Sequence, residues 1–311
     1  IGTSTPDEKL HVVGTVKAVA FVGDGSSLTG LSAGGWTLAG DVLYTNDKYG
    51  VARYGNNLYG NHDSTHVNLG VASETGTFGE DYKYITVGGG LLNIASGYQS
   101  TISGGYDNIA SGDGSAISGG ESNAAHGYVS SIGGGNNNTA SGYISTISGG
   151  TNNTVSPLGS MSTITGGKDN VASGFISTVC GGLLNTAAGD YSFAAGRRAK
   201  IDASHDGSFL FADQTDADFN SAAGNEFAVR ASGGVRFVGG GLTPEDWLTI
   251  DNTGNVGIGT PTPERALHIS DVMRIEPRAT APSSPSEGDV YYSSTDHKLY
   301  VYDGTTWQAC W

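Results

Sequence analysis

The sequence predicts an all-β protein organised around a parallel β-solenoid, and three observations carry that prediction. One phrase of 15 residues is written eight times in succession over 86–208, restarting at Thr101, Ala116, Ser131, Thr146, Thr163, Thr178 and Phe193. Self-similarity at a short fixed period marks stacked coils, each touching only its neighbours. Two positions of the phrase are consistently apolar, and the first is mostly β-branched, which favours strand. Glycine supplies 51 of 311 residues, about twice ordinary usage, as a chain of tight turns requires.

Position two of the phrase is the core ladder: Val87, Ile102, Ile117, Ile132, Ile147, Ile164 and Val179. Position ten is Ala95, Ala110, Ala125, Ala140, Val155, Ala172 and Ala187. A coil of this length at about 3.3 Å per residue has a perimeter of roughly 50 Å. That suits a flattened coil of two strands filled by one Ile and one Ala. Two corners follow, one at the Gly-Gly of positions four and five and one at the Gly of position twelve. Asn93, Asn108, Asn123, Asn138, Asn153, Asn170 and Asn185 stand at position eight. Gly and Asn tolerate positive φ, so the bends are expected where they recur. Stacking also sets these asparagines in a ladder able to hydrogen-bond from rung to rung.

Eight rungs at about 4.8 Å make a rod of roughly 40 Å. Its apolar filling is thin, and chains with little burial usually need oligomerisation. Position thirteen offers a surface for it in Tyr98, Tyr128, Tyr143 and Phe175, with Asp113 and Asp190 as exceptions. This row reads either as a subunit seam or as a strip on which sugars stack.

The phrase Thr-Ile-Ser-Gly-Gly-x-x-Asn-x-Ala-Ser-Gly-x-x-Ser resembles the head-domain repeats of trimeric autotransporter adhesins. The resemblance covers about 40% of the chain. It implies a left-handed parallel β-roll with three chains side by side, hence a homotrimeric fibre. A long heptad stalk, which that family carries, is not found among these residues.

Taken in order, 1–31 reads as an N-terminal fibre shaft module. Its opening Ile-Gly-Thr-Ser-Thr-Pro-Asp-Glu-Lys-Leu-His-Val returns at 258–269 as Ile-Gly-Thr-Pro-Thr-Pro-Glu-Arg-Ala-Leu-His-Ile. This phrase resembles the shaft modules of phage tail fibres, and 255–276 is accordingly a second module. The start at Ile1, without a Met or a signal peptide, reads as a chain cut or processed from something larger. Residues 32–85 are expected as a cap of short antiparallel strands with polar turns. His62 and His66 there are four apart but on no helix, and read as solvated loop residues. Residues 209–254 form a closing segment in which Arg230 and Arg236 pair weakly with neighbouring acids. Residues 272–275, Val-Met-Arg-Ile, read as a strand. Residues 277–311 then give a Pro-rich linker and an aromatic tip of three short strands carrying Tyr291, Tyr292, Tyr300, Tyr302, Trp307 and Trp311. The tip loosely resembles a fibritin-type trimerisation element; an aromatic sugar platform is the competing reading.

A net charge of −15 argues against nucleic acid or anionic membrane as partner, since both need clustered Lys and Arg. No apolar run is long enough to span a membrane. Cys180 replaces the small residue of position three, and Cys310 could bridge chains outside the cell. The Gly-x-Gly fragments mark turns, because none opens a helix in a βαβ unit. No cofactor, metal site or catalytic set is expected, which sets aside a glycan-cleaving tailspike. The sequence therefore predicts an extracellular structural and adhesive fibre, a phage or phage-tail-like segment that attaches to a cell-surface glycan or protein. The alternative is a bacterial surface adhesin or a filament subunit joined head to tail.

Overall fold

The computed structural model describes residues 66–77, 84–239 and 245–310, and upstream of them the strands Trp36–Ala39, Val42–Thr45, Val51–Ala52 and Asn57–Leu58. The 1–31 module, His62 and Trp311 lie outside the described residues. Each repeat contributes one two-residue strand to each of two sheets. The first sheet has 12 strands, from Val51–Ala52 to Phe227–Arg230, and the second 11, from Asn57–Leu58 to Phe219–Asn220. Pairing is parallel with residues of equal repeat position in register, so Ile102 meets Ile117 and Ile117 meets Ile132.

The interior is built from four rows, where the sequence pointed to two apolar ones. Position two (Ile102, Ile117, Ile132) and position ten (Ala110, Ala125, Ala140) are buried. So are the asparagines of position eight and the serines of position fifteen, such as Ser115 and Ser145. Small and amide side chains fill a coil too narrow for a conventional core. The two added residues, Pro157 and Leu158, are extruded: Thr146 still pairs with Thr163 and Thr154 with Val171. Leu158 is left 79% exposed.

The corners work differently from the expectation. Position eight does not supply positive φ; position seven does, at Asp107, Ser122 and Asn137, and position fourteen does at Val129, Ile144 and Ile176. The glycine of position twelve is required by closeness rather than by φ. A Cβ on Gly127 would lie 2.0 Å from the carbonyl oxygen of Gly142. Only position five needs glycine for both reasons: Gly120 has φ +89°, and a Cβ there would lie 2.2 Å from Gly135 O.

Further expectations are corrected. The 32–85 stretch is no antiparallel cap throughout. Trp36–Ala39 and Val42–Thr45 pair antiparallel, but Val51–Ala52, Val67–Asn68, Asn57–Leu58 and Glu74–Thr75 stack in parallel as earlier coils. His66 is accordingly no solvated loop residue. It precedes the strand that pairs with Thr86–Val87, occupies the same row as Ile85, and is fully buried. At the other end the stack continues past Ser208 through Phe209–Ala212, Phe219–Asn220 and Phe227–Arg230. Beyond it Val235–Gly239, Glu245–Ile250, Val256–Ile258 and Leu267–Ile269 form one four-stranded sheet. The second shaft module is thus joined to the preceding strands, its own two strands running parallel. Residues 272–275 are in no strand, and the tip is a three-stranded antiparallel sheet of Val290–Tyr292, Leu299–Tyr302 and Trp307–Ala309.

Candidate functional site

The asparagine row is the spine on which any surface of the rod depends. Asn108 Oδ1 accepts from the backbone N–H of Asn123 at 3.0 Å and from its Nδ2 at 3.1 Å. Asn123 Nδ2 also donates to Gly119 O of its own coil at 3.1 Å and to Gly135 O of the next at 3.0 Å. A buried amide whose polar atoms are all engaged avoids the cost of desolvation. The row is terminated cleanly. Ser73 Oγ accepts from Asn93 N at one end, and Asn185 Oδ1 accepts from Ala199 N at the other.

The candidate surface is the corner formed by positions thirteen and fourteen. The aromatics of position thirteen are half-buried to exposed, and they meet in pairs rather than in one row. Tyr128 and Tyr143 stack with centroids 5.3 Å apart and planes 7° apart. Tyr98 meets Tyr84 edge to face, and Phe175 meets Tyr191 likewise. The two aspartates that interrupt the row are caps: Asp113 Oδ1 accepts from Tyr98 N at 2.9 Å and Asp190 Oδ1 from Phe175 N at 2.8 Å.

Position fourteen was missed by sequence reasoning, although the signal was there in five successive coils. Val129, Ile144, Met161, Ile176 and Tyr191 are all exposed there, and all have φ between 51° and 57°. β-Branched residues rarely take that conformation, and such strain persists where something else over-determines it. Their N–H groups are fixed by the coil before, as in Ile144 N to Tyr128 O at 2.8 Å. A second missed row lies at the closing end, where Phe193, Phe209 and Phe227 stack at 4.7 and 5.0 Å on the outer face of the first sheet.

The closing end is also where charge gathers. Arg230 Nε donates to Asp213 at 3.1 Å, while its other nitrogens reach the carbonyls of Ala217, Thr215 and Arg197. The pair is mostly buried, side chains 19% and 15% exposed, so the expectation of a weak surface pairing for Arg230 is corrected. Its side chain shares the inward register of Leu210 and Ala212, because Arg230 pairs with Ala212. Hydrogen bonds from Ser232, then Thr215, hold the Asp213 carboxyl far below the usual carboxylate range. Arg197 and Arg198 add ion pairs to Asp216 and Asp218.

At the tip, Tyr291, Tyr300, Tyr302 and Trp307 come together on one face. Tyr291 stacks on Tyr300 at 5.1 Å and meets Trp307 edge to face at 4.7 Å, and Trp307 touches Tyr302. Tyr292 lies on the opposite face, beside Leu299. The Tyr300 hydroxyl donates to Asp296, which raises the Tyr300 pKa. The Asp303 carboxylate closes the last turn by accepting from Thr306 and Thr305. Both cysteines are exposed and unbridged. Among the described residues no cluster of His, Cys, Asp and Glu could hold a metal, and no helix is long and apolar enough to cross a membrane.

One coil also carries a family signature. Residues 100–112 match the model of the ubiquitous surface protein adhesin repeat. The matched adhesin repeat runs from the buried Ser100 to the close-packed Gly112, and so includes Ile102, Gly105, Asn108 and Ala110, the residues that make the coil. No curated protein matches the chain. The adhesin-repeat match and the β-solenoid together fit an adhesin-like repeat fibre.

Proposed function

We propose that this protein is a segment of an extracellular, adhesin-like surface fibre, working as a homotrimer that holds an attachment surface away from its base. The observation that carries the reading is the adhesin-repeat match falling on a coil whose internal geometry is repeated through the coils of 86–192. The role is attachment and reach rather than catalysis, and the receptor class is a cell-surface glycan or protein. A phage tail fibre is the second reading, favoured by the 258–269 phrase, which folds as a compact parallel pair, Val256–Ile258 with Leu267–Ile269.

Ring geometry favours the seam over the sugar strip for Tyr98, Tyr128, Tyr143 and Phe175. Tyr128 and Tyr143 are one coil apart with nearly parallel rings, so each covers one face of the other. A sugar stacks on an aromatic face, whereas a neighbouring chain packs against edges and the adjoining aliphatic row. The strip is also largely uncharged on a chain of net charge −15, which lets copies approach without repulsion.

The test is a solution mass followed by a binding assay. Light scattering is expected to give three times the 31.7 kDa chain mass, and Ile144→Asp to reduce it. The labelled trimer is expected to bind intact cells and to lose them after periodate or protease treatment of the cell surface. A folded monomer at micromolar concentration, or a trimer that no cell surface retains, overturns the proposal.

A further inference from the structure

We propose that residues 272–276 are a docking strand for a second copy of this chain, paired antiparallel about Ile275. The inference rests on the reading that the protein works as an assembly of identical chains. It concerns the C-terminal region, away from the corner at positions thirteen and fourteen.

The sequence of this stretch reads as a strand, yet the backbone of 272–276 makes no hydrogen bond to any described residue. The chain is first held again at Arg278, which bridges to Ser293. Strand-forming backbone left without a ladder is a template for another strand. Beside it is a hollow of about 390 Å³, lined by Met273, Arg274, Ile275, Pro277, Tyr292 and Leu299. Apolar side chains of the stretch are uncovered: Met273, in the lining, is 63% exposed and the adjoining Val272 83%. The other face of the tip sheet is already occupied by its own aromatics, with Tyr291 buried among them.

Charge names the occupant and the register. Arg274 and Glu276 lie on the same side of the stretch, 3.1 Å apart, with side chains 78% and 77% exposed. In an antiparallel pair of identical strands centred on Ile275, Arg274 of one copy stands directly opposite Glu276 of the other, and the reverse holds by symmetry. Opposite charges across an antiparallel pair stabilise it, and a twofold contact of this kind is self-complementary. Such pairing is antiparallel, and so joins copies in different fibres rather than chains lying side by side in one.

The test uses the full chain with Cys180→Ser and Cys310→Ser. Ile275→Cys faces itself in the proposed register at a Cα separation that a disulfide can span, about 4.5–5.5 Å. Under mild oxidation it is expected to form covalent dimers at least tenfold faster than Val272→Cys. Arg274→Glu added to Ile275→Cys should suppress that dimer, and Arg274→Glu with Glu276→Arg should restore it. Equal rates at 272 and 275, or indifference to the charge swap, overturn the proposal. Absence of the 275 dimer from a chain that scattering shows to be trimeric overturns it and leaves the trimer standing. A chain monomeric throughout removes both.

Discussion

The repeat coils and the closing end solve the same problem with opposite chemistry. The interior of the coils over 86–192 is uncharged: an aliphatic row, a row of alanines with one valine, a serine row and a chain of mutually satisfied amides. From Arg197 onward the interior gains a guanidinium, and Arg197, Arg198 and Arg230 pair with Asp213, Asp216 and Asp218. A coil in mid-stack finds partners above and below, so uncharged groups in register suffice. The last coil has a neighbour on one side only, and there a long side chain with many donors gathers the carbonyls left over. Position in the stack, rather than composition, decides which chemistry is needed.

The largest break expected in that contrast comes from Gly127→Ala. Its Cβ collides with backbone of the adjoining coil, which cannot move without breaking its own ladder. A loss of more than about 3 kcal/mol is expected by urea denaturation. Asn123→Ala should follow at about 2–3 kcal/mol, because it leaves the Asn138 backbone N–H and the Gly119 carbonyl without their partner and takes one of two donors from Gly135 O. Arg230→Met is expected to cost about 1–2 kcal/mol and to act locally. Hydrogen exchange should quicken over 197–232 and stay slow over 101–192. Acid sharpens the same distinction. The Asp213 carboxyl is depressed in the folded chain, so its contribution is complete above the ordinary carboxylate pKa of about 4 and declines as pH falls below it. Lowering pH from 7 to 2 should therefore loosen the closing end while the repeat coils, uncharged inside, keep their protection. The smallest effect belongs to Ser115→Ala. The Ser115 hydroxyl is buried without a hydrogen-bond partner, so its removal should change stability by less than about 0.5 kcal/mol, or raise it.

What could be read in the sequence was whatever repeats. Ile102 and Ala110 announce an interior because they recur at one period, and the stack follows from that alone. The outer coils were hidden for the same reason. Around Val67 the row that elsewhere holds Ile carries Asn68, and the row that holds Asn carries Ser73, so the pattern fades while the geometry persists. His66 was misplaced because its burial depends on that unrecognised coil. The bend was assigned to asparagine by its known tolerance of positive φ. The structure instead spends that residue on hydrogen bonds and lets Ser122, Val129 and Ile144 take the bend. The strand-like composition of 272–275 gave no sign that this stretch has no backbone partner among the described residues.

The asparagine row has a consequence for length. Each amide passes its oxygen to the coil that follows, always in the same sense, and the hand-over survives even the two extra residues after Ser156, since Asn170 still bonds Asn153. A whole coil can therefore be duplicated or deleted by recombination within the gene without leaving one amide unanswered. Such a change would alter the protein's reach in increments of about 4.8 Å, a molecular ruler graduated by its own genetic repeats.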